Sequence, residues 1–326
     1  MKLRDHPLLL GLAVLLGVAV AQEAGAQEYP AKTIRLIIPF APGGANDILG
    51  RLIAARLSET VGQQVVPDNR PGAGGSIGAE LVAKSPPDGY MLVIGHIGTL
   101  AVNPTLYRKL GYNPVSDFQP ISLVAKVPSI MVVHPSVPAR SLKELIALAK
   151  SRLGALVYGS GGNGGAGHLA TEYFKLMAKV DMVHVPYRGT GAALVDLIAG
   201  QTQLVFAGVP GAAAHVRSGR LRALGVSTST RLAVFPELPT IAEAGVPGYE
   251  VTQWYGVLAP AGTPKAVVDR LHKEIVSAVK SKQMHERLTA DGSEPITSTP
   301  EEFASYIKSE IARWAPVIRA AGIRVD

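Results

Sequence analysis

A chain of 326 residues, 47% of them apolar and none cysteine, can bury a large core and cannot be stapled by disulfides, so an oxidising compartment is tolerated without them. Its formal net charge of +7 is compatible with an anionic ligand or surface, yet Lys and Arg are dispersed and no basic run is interleaved with aromatics, which excludes nucleic acid as the expected partner.

Residues 1–26 read as an export signal. Lys2 and Arg4 precede the apolar run "PLLLGLAVLLGVAVA", and Ala24 and Ala26 stand at the −3 and −1 positions of a cut before Gln27. The run has 15 residues, whereas a membrane span takes about 20, so a cleaved leader is expected rather than an anchor. A cut at Ala21/Gln22 is the second site that fits. No cysteine follows the run to accept a lipid. The expected mature product is a periplasmic monomer of residues 27–326, long enough for two domains.

From residue 34 one pattern recurs: a short β-branched run, a Gly-rich turn, then a stretch of helical period. "IRLIIPF" leads through "APGGAN" into "DILGRLIAARLSETVG"; "QQVVPDN" through "RPGAGGS" into "IGAELVAKS"; "MLVIGH" into "IGT". After residue 155, "ALVYGS" leads through "GGNGGAG" into "HLATEYFKLMAK", "MVHVPY" through "RGTG" into "AALVDLIAG", and "QLVFAG" into "VPGAAAHVRSG". Strands and helices alternating at this spacing predict parallel sheets covered on both faces. Extended, Pro-punctuated passages at 118–135 and 246–264 allow the chain to cross into a second lobe and return. Two helices are predicted at 264–281 and 300–322, each with Thr as N-cap and Pro in the first turn. The predicted architecture is α/β, two doubly wound lobes joined by a two-strand hinge with a ligand cleft between them. The expected boundaries are 27–125 and 251–326 for the first lobe and 126–250 for the second.

The Gly-rich turns lie beyond the carboxyl ends of the strands, where open α/β sheets bind ligands. Each opens a helix, whose unsatisfied amides and dipole favour an anion, and glycine lets the amides approach closely. Gly162, Gly164 and Gly167 spell G-x-G-x-x-G, but a dinucleotide site needs an acidic residue after the next strand. That strand ends in Pro186–Tyr187, and Asp181 precedes it. No Gly-Lys-Ser/Thr phosphate loop occurs. Ser160, with His168 or His184 and Asp181 or Asp196, is the candidate for a secreted hydrolase, but Tyr158 stands where a nucleophile turn has glycine. His168, on the first turn of the helix, reads as a packing or capping residue. The histidines are isolated, without metal-ligand spacing. No cofactor is expected. The loop reads as a cradle for something small.

"YPAKTIRLIIPFAPGGANDILGR", "VVPDNRPGAGGSIGAELVAKSPPDGYML", "LVYGSGGNGGAGHLATEYF", "VPYRGTGAALVDLIAG", "GRLRALGVSTSTR" and "FPELPTIAEAGVPGYEVTQWYGVLAPAGTP" resemble, in order and spacing, the blocks of Bug-type receptors of tripartite tricarboxylate transporters. The resemblance covers nearly all of 29–326. It implies a type II periplasmic-binding-protein fold that captures a small carboxylate (di- or tricarboxylate, amino acid or aromatic acid). Delivery would go to one large and one small membrane subunit of an ion-driven transporter, without chemistry on the ligand. The loops that hold a carboxylate in the family correspond to Phe40–Asp47 and to Ser160–His168. Gly43, Gly44, Gly162, Gly164 and Gly165 would supply amides, with Ser160, Asn163 and His168 in the same loop and Phe40 as an apolar wall. Asp47 would cap its helix or meet a ligand amine. Ile97, Gly98 and Thr99 would meet the ligand's far end. Tyr187 and Arg188 stand at a third loop, where Arg188 would pair with a distal carboxylate or lie solvated on the rim. Gly165–Ala166 and Ala207–Gly208 replace polar pairs common in the family and imply a roomier, less polar pocket for a bulkier or aromatic acid. The same fold acting as a ligand sensor for a signalling system is the alternative.

Overall fold

The computed structural model describes residues 29–325, except Asp291; the export signal and its cut lie outside the described residues. Strand β1 (Ile34–Ile38) is apolar at almost every position, as a strand covered on both faces must be. It pairs in parallel with β2 (Val65–Asn69) and β3 (Met91–His96). Helix α1 (Ala45–Val61) follows β1 and buries Leu49, Ile53 and Leu57, a helical stripe laid on Ile34, Leu36 and Ile38. Helix α2 (Ser76–Ala83) follows β2, and residues 98–102 form a π turn that runs into α3 (Asn103–Leu106).

The passage expected as a crossing is one strand, β4 (Phe118–Val133). Its residues 118–128 pair antiparallel with β9 (Thr252–Pro260), while 129–133 pair with β7 (Leu204–Gly208) and, over 130–133, with β8 (Arg222–Val226). One strand thus serves both halves of the sheet. In the second half β5 (Val157–Ser160) lies parallel between β6 (Val183–Pro186) and β7. The order along the sheet is β2-β1-β3-β9-β4-β7-β5-β6, with β8 and the short β10 (Glu294–Pro295) pairing to β4 off this path.

Helices α4 (Leu142–Ser151), α5 (Ala166–Ala178), α6 (Thr190–Ile198) and α7 (Val209–Arg217) belong to the second half. Leu194, Leu197 and Ala212 pack on Ile130, Val132 and Val205 from one face, while Leu169 and Phe174 pack with Met131 and Phe206 on the other. Both halves are therefore doubly wound. After β9 the chain forms α8 (Lys265–Lys280), α9 (Lys282–Ala290) and α10 (Pro300–Ala320). The Thr-Pro expectation holds at α10, where Thr299 and Glu302 form a reciprocal capping box. It fails at α8: Thr263 donates to the Pro260 carbonyl at 2.7 Å, and Pro264 itself is the N-cap. β8 and α4 lie outside the six units that the periodicity singled out.

Candidate functional site

Four helices begin at one place. α1, α5, α6 and α7 have glycine N-caps, Gly44, Gly165, Gly189 and Gly208, and none has a side-chain cap. Apart from Asp47, whose amide donates to the Gly44 carbonyl at 3.0 Å, and Pro210, which has no N–H, their first-turn residues therefore present amides with neither a helical nor a capping acceptor. Ala45 and Asn46 of α1, Gly165 and Ala166 at α5, Thr190 of α6 and Gly208 at α7 line one small cavity. Phe40, His96, Gly161, Gln253 and Tyr255 complete its wall, and no Lys or Arg among the described residues lines it. Positive potential here comes from backbone dipoles alone, each worth about 0.3–1 kcal/mol to a facing anion.

The loops that shape this cavity are held from behind. Gly43, Gly162 and Gly164 have φ of 90°, 116° and 79°, conformations that favour glycine. The Gly43 amide donates to Asp47 Oδ2 at 3.2 Å. Asp47 also accepts from Arg51 Nε at 2.9 Å and Asn69 Nδ2 at 3.0 Å. Burial pushes its carboxyl up, but these hydrogen bonds outweigh it and hold the group below its ordinary range. Asp47 ties the loop to β2 and does not line the cavity. In the second loop the Gly162 amide donates to Ser160 Oγ at 3.1 Å, the Gly164 amide to His168 Nδ1 at 3.1 Å and the Gly165 amide to the Gly162 carbonyl at 3.0 Å. The amides of Gly43, Gly162, Gly164 and Gly165 thus have partners within the protein. Those of the helix starts remain for a ligand.

Ser160 is fully buried and hydrogen-bonded to His184 Nε2 at 2.6 Å. The distance suits a nucleophile and its base, yet the hydroxyl does not line the cavity. His184 stacks between Tyr158 and His168, with ring centroids at 4.7 and 4.2 Å. Burial holds His168 at about 4 and His184 at about 3, so both rings are neutral. This stack braces the glycine loop.

Ile97 and Thr99 are wholly buried behind the cavity, and a Cβ on Gly98 would lie 2.5 Å from the Gly164 carbonyl across the cleft. The residue of this strand that reaches the cavity is His96, held at about 3 by burial. Asn163 accepts at its carbonyl from the Tyr107 hydroxyl at 3.1 Å, a bond between the two halves. The Tyr187 hydroxyl turns away to Asp196 Oδ2 at 2.7 Å. Arg188 is exposed on the rim, and its carbonyl accepts from the Ala41 amide at 2.9 Å across the cleft.

Of the residues expected to bind, Phe40 and Gly165 line the cavity directly, Gly44 heads α1, and the others support or flank it. Asn46, His96, Thr190, Gln253 and Tyr255 were not singled out by the sequence. Gln253 and Tyr255 had a legible signal, polar side chains two apart in an apolar strand and hence on one face. Polar side chains also reach the lining from β9. Gln253 Nε2 donates to Ser129 Oγ at 2.7 Å and the Tyr255 hydroxyl to Gln253 Oε1 at 2.6 Å, so this wall is a fixed hydrogen-bonded chain. No group of three or more His, Cys, Asp or Glu among the described residues is placed to hold a metal ion.

Residues 49–323 match the profile of a family described as tripartite tricarboxylate transporter family receptor. Protein BugT of Bordetella pertussis is 38% identical over 320 residues, covering 98% of both chains. Among solved structures, Rpa4515 of R. palustris with adipate is 42% identical with a TM-score of 0.89, covering 91% of this chain and 99% of its own. MatC of Rhodopseudomonas palustris with bound malate is 33% identical with a TM-score of 0.86, covering 89% and 100%. The two-lobed α/β architecture is that of periplasmic binding proteins.

Proposed function

The chain belongs to the tripartite tricarboxylate transporter receptor family, a family of solute receptors and not of enzymes, and on that premise we propose that it captures a small dicarboxylate in the cavity between its lobes and delivers it to a large and a small membrane subunit. The observation that carries the ligand class is the convergence of four uncapped helix N-termini on a cavity without a cationic side chain. Carboxylate oxygens are acceptors only, and they match unsatisfied amides on several sides. The binding of adipate by Rpa4515 and of malate by MatC supports the same class. Among the described residues no helix is long and apolar enough to cross a membrane, and we place the receptor in the periplasm after a cut near Ala26/Gln27. In this reading 27–125 and 251–326 form one lobe, 126–250 the other, and β4 and β9 flex between them.

The test is calorimetry on protein exported to and purified from the periplasm, titrated with adipate, succinate, malate and a neutral diamide of the same length. Saturable binding of at least one dicarboxylate and none of the diamide is expected. Binding of the diamide as tight as that of the acids would overturn the anionic cradle.

A further inference from the structure

Asn46 Oδ1 brings an acceptor into a cavity built of donors. It stands in the first turn of α1, is only 9% exposed and lines the cavity, yet its Oδ1 has no hydrogen-bond partner among the described residues. Buried side-chain acceptors are nearly always paired. Two neighbouring side-chain donors point elsewhere: the Gln253 amide donates to Ser129 Oγ, the Tyr255 hydroxyl to Gln253 Oε1. The Thr99 amide donates to His96 Nδ1 at 3.3 Å, so the neutral ring carries its proton on Nε2. No described residue donates a hydrogen bond to Asn46 Oδ1.

An unpaired acceptor repels a carboxylate oxygen. The amides of Ala45 and Asn46, at the same helix start, attract one. Both conditions are met together when the ligand places a carboxylate on the amides and a hydrogen-bond donor one or two bonds away from it. We infer that Asn46 is a specificity-determining residue that selects acids bearing a hydroxyl or ammonium group on the carbon next to the carboxylate over the same acids without it. The inference rests on the carboxylate reading of the cavity and adds a requirement to it. A site whose acceptor is left unpaired by the unsubstituted acid rejects that acid much more strongly than a site that merely loses an apolar contact.

Calorimetry on the exported protein with succinate, L-malate and L-aspartate tests this, since the three differ only at that carbon. Wild type is expected to bind malate or aspartate at least about tenfold more tightly than succinate, roughly one hydrogen bond; the tighter of the two identifies hydroxyl or ammonium as the donor. Asn46→Ala is expected to lose the preference, binding the three acids within about threefold of one another. Asn46→Ser, which retains an oxygen acceptor and suits a helix start, is expected to keep part of it. Equal binding of all three acids by wild type, or a full preference surviving in Asn46→Ala, would overturn the role of Asn46 while leaving the carboxylate reading intact. Binding of none of the acids tested, adipate included, would overturn that reading and this inference with it.

Discussion

Two buried histidines, His96 and His168, and the partly buried His184 carry no charge in the folded protein, and acid should therefore loosen it. Burial holds them at about 3, 4 and 3 respectively; Lys175 adds to the downward pull on His168 and His184, and Glu172 opposes it at His184. In the unfolded chain their ordinary value is 6.5. Between about pH 6.5 and pH 4 the unfolded chain binds more protons than the folded one, so stability rises with pH. This contribution is present in full above about pH 6.5 and is lost as pH falls toward the folded values. Asp47 and Asp68, held below their ordinary 3.8, lose theirs only in stronger acid. Urea midpoints at about pH 7.5 and pH 5 should differ, with the lower midpoint in acid; equal midpoints would mean that the rings are solvated. Ser160 belongs to the same stack. Ser160→Ala leaves the Gly162 amide and His184 Nε2 without a partner, at a cost of about 1–3 kcal/mol in unfolding free energy. Dicarboxylate affinity should move by less than about threefold, because the hydroxyl lies behind the cavity. Unchanged stability with abolished binding would instead put Ser160 against the ligand.

At the scale of elements, the sequence is most legible where local chemistry decides. β1 to β3 and β5 to β7 read from β-branched runs ending in glycine, and the helices after them from their apolar period, because a doubly wound sheet repeats one local unit. β8 escapes because "RALGV" has one β-branched residue and no glycine turn and helix after it, and it is fixed as a strand by pairing with β4, a long-range contact. Thr263 illustrates the same limit: Thr-Pro marks a helix start, but the Pro260 carbonyl competes for the hydroxyl and wins. The site divides in the same way. Glycine loops are visible in sequence because the positive φ of Gly43, Gly162 and Gly164 demands that residue. Which amides face the ligand is not visible, since Asp47, His168 and Ser160 take some of them through contacts that only the folded loop creates. Gln253 and Tyr255 arrive from a strand more than 80 residues further along the chain than the second loop, and their alternation reveals a face without saying what that face meets.

At the scale of the whole molecule, the two halves touch backbone to backbone, and glycine makes the approach possible. The Ala41 amide reaches the Arg188 carbonyl at 2.9 Å, and a Cβ on Gly191 would lie 2.3 Å from the Pro42 carbonyl and 3.1 Å from Gly43 Cα. Gly191 is the second residue of α6 and is not among the glycines with positive φ, so the helix itself accepts alanine there. Gly191→Ala therefore separates folding from closure. Its own lobe should be as stable as wild type or slightly more so, while the methyl group meets backbone of the other lobe, which has no side chain to swing aside. Closure that brings the helix starts of both lobes onto one ligand then stops short, and affinity for whichever of adipate, succinate or malate the wild type binds should fall at least about tenfold. Small-angle scattering at saturating ligand should give a larger radius of gyration than wild type under the same conditions, with the unfolding midpoint unchanged or raised. Wild-type affinity together with a wild-type radius would mean that the lobes bind without approaching this closely, and the hinge at β4 and β9 would lose its part in capture.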